Sequence, residues 1–182
     1  MTFSEASLSR SPDQDHRDQG PDDVRVAVLT MSDTRDRDDD RSGYLIREML
    51  GWRGFTVAAY EIVPDDPDRI RQQLETWLSD VSVDAIITNG GTGISNRDST
   101  YEVVSSMLEK RLDGFGELFR MLSWHEIGAA AMLSRAVAGS VGSTAIFCLP
   151  GSSNAVKLAM EKLIGPELGH VVHELKKHLS GG

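Results

Sequence analysis

The chain reads as an α/β protein, a three-layer sandwich in which a mostly parallel sheet carries helices on both faces. Three observations predict it. Short β-branched runs alternate with amphipathic helical stretches from residue 24 onward. The central runs are largely apolar, as strands covered on both faces are. Loops rich in Gly, Ser, Thr or Asp follow strand after strand, and a parallel sheet gathers such loops on one edge.

Each element has its own justification. Residues 24–31 (VRVAVLTM) form a buried strand, and 32–42 (SDTRDRDDDRS) a polar loop. Residues 43–53 are helical, with Leu45, Ile46, Met49 and Leu50 on one stripe. A second strand covers 55–63, and Pro64 and Pro67 then bracket Asp65 and Asp66 in a turn. Residues 68–78 are helical, with Ile70, Leu74, Trp77 and Leu78 on one face. The run 83–88 (VDAIIT) is the clearest central strand and leads straight into the glycine-rich loop 89–93. Residues 100–112 are predicted helical, as is most of 115–138, with breaks near Ser123 and Gly128. A last buried strand, 143–149 (STAIFCL), precedes the turn 150–154. Helices at 155–164 and 167–179 follow, separated by Gly165 and Pro166.

Composition bounds the function. The 182 residues suit one domain. Hydrophobic residues at 40% and charged residues at 26% exclude a wholly disordered or fibrous chain. Net charge is −9 and pI about 5.0, which argues against a broad nucleic-acid surface but not against a small anionic ligand. No apolar run approaches the roughly 18–20 residues of a membrane span. The single cysteine, Cys148, cannot form an intramolecular disulfide, which fits a reducing compartment. Residues 1–23 hold six acids and two arginines among few apolar groups, and read as a disordered acidic tail without a signal peptide. Residues 24–182 form the folded domain, and the expected location is the cytoplasm.

The chemistry lies in the loops. In residues 88–100 (TNGGTGISNRDST), Gly90, Gly91 and Gly93 are expected at positive φ, with their N–H groups cradling an anion. The following helix N-terminus adds partial positive charge. The plainer alternative is a tight turn with Asp98 as a helix N-cap. The loop lacks the Lys-Ser/Thr of a P-loop and the G-x-G-x-x-G spacing. Residues 150–154 (PGSSN) offer a second cradle through Gly151, Ser152 and Ser153, one serine doubling as a cap. Lys157 is either a further phosphate charge or a solvated lysine. Asp65 and Asp98 follow different strands, and two carboxylates at a phosphate cradle make sense with Mg²⁺ between them. Asp66 is an equal alternative to Asp65. No Cys/His spacing indicates zinc. The run 36–41 (DRDDDR) reads as a solvated loop, His125 as a packed or surface residue, and His170, His173 and His178 as surface residues. Cys148 reads as a buried thiol, and Phe115, Leu118, Phe119 and Leu122 as both a core face and a candidate subunit interface.

The segment TNGGTGISNRD resembles the molybdenum-cofactor biosynthesis family that includes MogA and MoaB. The resemblance extends to TMSDTR with Ser42-Gly43, to residues 114–139, and to 146–170, which resemble the MoaB branch. It covers about residues 24–179. It implies a molybdopterin-binding fold, often trimeric or hexameric. It further implies Mg²⁺-dependent adenylylation of molybdopterin by ATP, with release of pyrophosphate and transfer of the product to a molybdate-insertion enzyme. By the same resemblance the substrate-binding residues are Ser32, Asp33, Gly90, Gly91, Thr92, Gly93, Glu117, Pro150, Gly151 and Ser152. The physical reading adds Ser153, and Asp65 and Asp98 are the implied catalytic and metal-holding pair. Position 99 is Ser where many relatives carry Val. Some members of the MoaB branch lack the acidic pair, so a non-catalytic molybdopterin-binding or scaffold protein of the same pathway is the alternative. CinA-like nucleotide-processing domains fit less well.

Overall fold

The structure is a computed structural model and describes residues 23–179, so the expected tail lies outside the described residues apart from Asp23. In chain order the elements begin with β1 (Arg25–Met31), α1 (Arg41–Trp52), β2 (Thr56–Val63), α2 (Pro67–Leu78) and β3 (Ala85–Asn89). Next come α3 (Thr100–Met107), β4 (Lys110–Arg111) and α4 (Asp113–Ile127), which runs into a 3₁₀ segment, Gly128–Leu133. The chain ends with β5 (Val137–Val141), β6 (Thr144–Leu149), α5 (Ser153–Ala159), a π-helical turn (Met160–Ile164) and α6 (Gly165–Lys176).

The six strands make one sheet in the order β2-β1-β3-β6-β5-β4. The four strands β2, β1, β3 and β6 run parallel, whereas β5 and β4 join antiparallel. Alternation along β1 shows how the two faces fill. Val26 and Val28 enter one core with Ile46, Leu50, Phe119, Met160 and Leu168 from α1, α4 and the C-terminal helical run. Ala27, Leu29 and Met31 enter the other, with Ile70, Leu74 and Val103 from α2 and α3. The predicted three-layer α/β sandwich is therefore the observed one. Phe119 is fully buried, with its ring 6.4 Å from that of Phe115. Truncating such a side chain to alanine costs about 3–5 kcal/mol.

Two strands depart from the sequence expectation. Residues 110–111 are expected in a helix and 137–138 at the end of a mostly helical stretch, with 139–141 in no element, yet they pair as β4 and β5. The β5 segment, VAGSV, is short, and its middle residues are small, so it carries little periodic pattern. Its Gly139 makes room for the neighbouring strand, because a Cβ there would overlap the Lys110 carbonyl oxygen. A third difference lies at Gly165 and Pro166, where the helices were expected to separate. The chain instead runs helically through α5, the π turn and α6. Gly165 accommodates the Arg53 side chain packed against it. Pro166 falls in the first turn of α6, where proline is tolerated.

The chain leaves β1 toward β2 and returns to the other side of β1 for β3. That reversal creates the crevice at the carboxyl ends of β1 and β3 where α/β sheets bind ligands.

Candidate functional site

The loops after β1, β2, β3 and β6 meet at this edge. A cavity of about 410 Å³ lies over the crevice, lined by Ser32, Arg35, Gly90–Gly93, Asp98, Pro150 and Gly151, with Met31, Thr34 and Leu133 completing the wall. The two expected cradles touch: a Cβ on Gly151 would stand 3.0 Å from the Gly90 Cα. The Gly90 N–H donates to the Leu149 carbonyl at 3.1 Å, fastening one loop to the other.

Gly90 and Gly91 hold φ of 97° and 60°, as expected. A Cβ on Gly91 would overlap both the Thr100 hydroxyl and the Asp65 carboxylate. Gly93 is not at positive φ. Its lack of a side chain serves space instead, since a Cβ would stand 2.6 Å from the Asp98 Oδ2.

The carboxylates sort themselves by their partners. Asp66 caps α2, accepting from the Asp68 and Arg69 N–H groups at 3.1 and 2.9 Å. Asp65 is left for the site. It accepts from the Ser99 hydroxyl at 3.0 Å, and its own N–H donates to Asp33 at 3.3 Å. Burial raises the Asp65 pKa above the ordinary carboxylate value, with Asp98 and Asp33 adding repulsion against the two Ser99 bonds. Asp98 shifts the other way. The Ser95 hydroxyl, at 2.6 Å, is the main cause, supported by the Ser95 and Gly93 N–H groups and by Arg135. The helix-cap alternative for Asp98 fails, because Ser99 occupies the N-cap position of α3 and makes no side-chain capping bond.

Other expected residues fall as follows. The Ser32 hydroxyl accepts from the Thr34 and Arg35 N–H groups and so folds its own loop. Asp33 pairs with Arg97 at 2.6 Å. Ser152 caps α5 by accepting from the Ala155 N–H, while the Ser153 and Ser42 hydroxyls are 3.5 Å apart. Thr92 is buried inside the loop. Glu117 is not brought to this edge. It lies exposed on α4, beside a separate cavity of about 210 Å³ with Tyr101, Arg111 and Arg120. Lys157 is exposed and lies 3.8 Å from Glu161, the solvated alternative. The stripe on α4 divides: Phe115 and Phe119 are core, whereas Leu118 is exposed. Cys148 is buried, and burial pushes its thiol up to about 12.

Sequence reasoning missed Asp40 and Arg35. The run 36–41 was expected to be solvated, yet Asp40 is buried. Its carboxylate accepts from the Thr30 hydroxyl at 2.5 Å, the Tyr60 hydroxyl at 2.7 Å and the Gly43 N–H at 3.0 Å. The last bond makes Asp40 the N-cap of α1. An acid three residues before a helical glycine was the available local signal. Burial, then the Asp40 hydrogen bond, raises the Tyr60 pKa, because both disfavour phenolate.

The donor set suits a hard cation. Asp65 and Asp98 supply oxygen only, and the Thr100 hydroxyl beside Asp65 is buried without a partner. Among the described residues no three His, Cys, Asp or Glu side chains gather into a cage. Mg²⁺ does not need one, since it keeps waters and substrate phosphates beside one or two carboxylates.

Compared with known proteins, residues 27–170 match the family described as "Probable molybdopterin binding domain". The chain is 51% identical over 164 residues to molybdenum cofactor biosynthesis protein B of Bacillus anthracis, covering 90% of this chain and 97% of that one. The chain belongs to the MoaB/MogA family, in its MoaB branch. A crystal structure of a molybdenum cofactor biosynthesis protein B aligns with a TM-score of 0.84 at 51% identity, covering 87% of this chain and 99% of that chain. The tungsten cofactor synthesizing protein MoaB from Pyrococcus furiosus aligns with 0.77 at 37% identity, covering 85% and 98%. The glycine loop, Asp65, Asp98 and the Pro150–Ser153 turn thus sit within a MoaB-like domain, and the matched residues 27–170 span all four loops of the edge. No helix among the described residues is long and apolar enough to cross a membrane.

Proposed function

We propose that the protein adenylylates molybdopterin, using ATP and Mg²⁺, in molybdenum cofactor biosynthesis. One observation carries the reading: two carboxylates from separate loops, Asp65 and Asp98, flank a double glycine cradle at the sheet's switch point. An oxygen of the pterin's terminal phosphate attacks the α-phosphorus of ATP. A new P–O bond forms, the bond to the β-phosphate oxygen breaks, and pyrophosphate leaves. The attacking oxygen is already anionic, so no general base is required. Catalysis is then positioning and charge stabilisation.

The chain's residues divide that work. Backbone N–H groups of Gly91, Thr92 and the Gly151–Ser153 turn hold phosphate oxygens, since those of Gly90 and Gly93 already donate to Leu149 and Asp98. Asp65 and Asp98 would hold Mg²⁺, which neutralises charge on the phosphates. Ser99 and Ser95 orient the two carboxylates through the bonds described above. Glu117 lines a separate cavity with Tyr101, Arg111 and Arg120, and the step as drawn does not call on it.

The exposed apolar side chains of α4, Leu118, Met121, Trp124 and Ile127, favour a homo-oligomer, and the family resemblance implies a trimer or a hexamer. Sedimentation of the purified protein tests this, and a monomer at micromolar concentration would refute it. The product would pass to the molybdate-insertion enzyme, and the expected compartment is the cytoplasm.

The test of activity is purified protein with molybdopterin, ATP and Mg²⁺, reading adenylylated pterin. Product should depend on the metal and vanish in Asp65→Asn and Asp98→Asn. Pterin binding without product in the unmodified chain would instead assign a binding role.

A further inference from the structure

Arg35 enters the site from the loop after β1 and reaches the loop after β6. Its guanidinium donates to the Gly151 carbonyl at 3.4 and 3.5 Å, and its Nη1 lies 3.6 Å from the buried Asp40 carboxylate. These contacts hold the planar head at the cavity wall, where its side chain keeps 35% exposure. Other cations near this edge are committed elsewhere. Arg97 pairs with Asp33, Arg135 with Glu102 and the Gly93 carbonyl, and Lys157 with Glu161. Among the described residues lining the cavity, Arg35 is the only cation. Asp98 lines the same cavity and Asp65 stands beside Gly91, so a phosphate placed there meets negative side chains.

We propose that Arg35 binds a phosphate group of the substrate through its remaining N–H groups, completing the backbone cradles with a fixed positive charge. A guanidinium suits this place, because its planar fork can donate to a carbonyl on one side and to phosphate oxygens on another. The inference rests on the phosphate-transfer reading above. Molybdopterin and ATP both carry the recognised group, and separate titrations distinguish them.

The experiment is calorimetric titration of the full chain with molybdopterin and, separately, with ATP and Mg²⁺. The variants are Arg35→Met, Arg35→Lys and Ser42→Ala. Arg35→Met should weaken one of the two ligands by about tenfold to a hundredfold, the worth of a lost charge-assisted hydrogen bond. The arm that moves names the phosphate. Arg35→Lys keeps the charge and should lose less, and the losses should shrink in high salt. Ser42→Ala removes the other donor to the same Gly151 carbonyl, at 2.7 Å, and no charge. An equal loss there would assign the effect to the carbonyl and overturn the role of the charge. If Arg35→Met fails to fold by thermal melt, Arg35→Gln carries the same expectation. Binding of both ligands within about twofold of the unmodified chain would overturn the Arg35 assignment alone. If the unmodified chain binds neither ligand, the adenylylation reading falls and Arg35 with it.

Discussion

Replacing Asp40 by alanine removes the acceptor that joins β1, β2 and the start of α1. Three bonds end on that carboxylate, from Thr30, Tyr60 and the Gly43 N–H. Loss of the helix cap alone costs about 0.5–2 kcal/mol. Thr30 is fully buried, and its hydroxyl would lose its acceptor while still accepting from Asn89 at 2.9 Å, which adds about 1–3 kcal/mol. Tyr60 is half-buried and can turn to water, so it adds less. Relief of one buried charge offsets part of the total. The expected loss is about 1.5–5 kcal/mol, the cap and Thr30 contributions together. For a domain of this size that lowers Tm by about 3–20 °C. Urea denaturation followed by circular dichroism measures it, and the midpoint should fall with an unchanged slope. Asp38→Ala, two residues away on the exposed loop, should stay within about 0.5 kcal/mol. A loss below about 1 kcal/mol for Asp40→Ala would refute the network account.

Three further outcomes follow from the site. Gly91→Ala should destabilise by about 1–3 kcal/mol, because its positive φ and its contact with Asp65 and Thr100 both resist a Cβ, and adenylylation should fall with it. Asp65→Asn should abolish activity while leaving Tm unchanged or higher. The folded state raises the Asp65 pKa, so its ionisation destabilises, and the variant's advantage should grow as pH rises from the ordinary carboxylate value through the raised one. Thermal melts across that window check it, and a lower Tm for the variant above the window would contradict it. Asp98 has the opposite sign: its stabilising contribution is complete above the ordinary carboxylate pKa and is lost as pH falls through its lowered value. Asp98→Asn should therefore melt closer to the unmodified chain in acid than near neutrality.

The sequence by itself determined the layered α/β class, the four parallel strands and the loops that follow them, because those rest on local patterns. β-Branched apolar runs, helical stripes and glycine clusters can be read within a window of ten residues. The glycine loop and Asp98 were legible for the same reason, and Asp65 only as one of the pair Asp65 and Asp66. Tertiary structure alone decided what depends on the facing atoms. VAGSV becomes a strand because Lys110 lies close against Gly139. Gly165 stays helical because Arg53 fills the space a side chain would take. Asp65 and Asp66 are equivalent in sequence, and only the start of α2 assigns the second to capping. In DRDDDR five charges stay exposed, four on the loop and Arg41 at the start of α1, and one, Asp40, is drawn inward by Thr30 and Tyr60 from two different strands. A charge is buried where its hydrogen-bond partners wait, and chain order does not reveal which partners fold into reach.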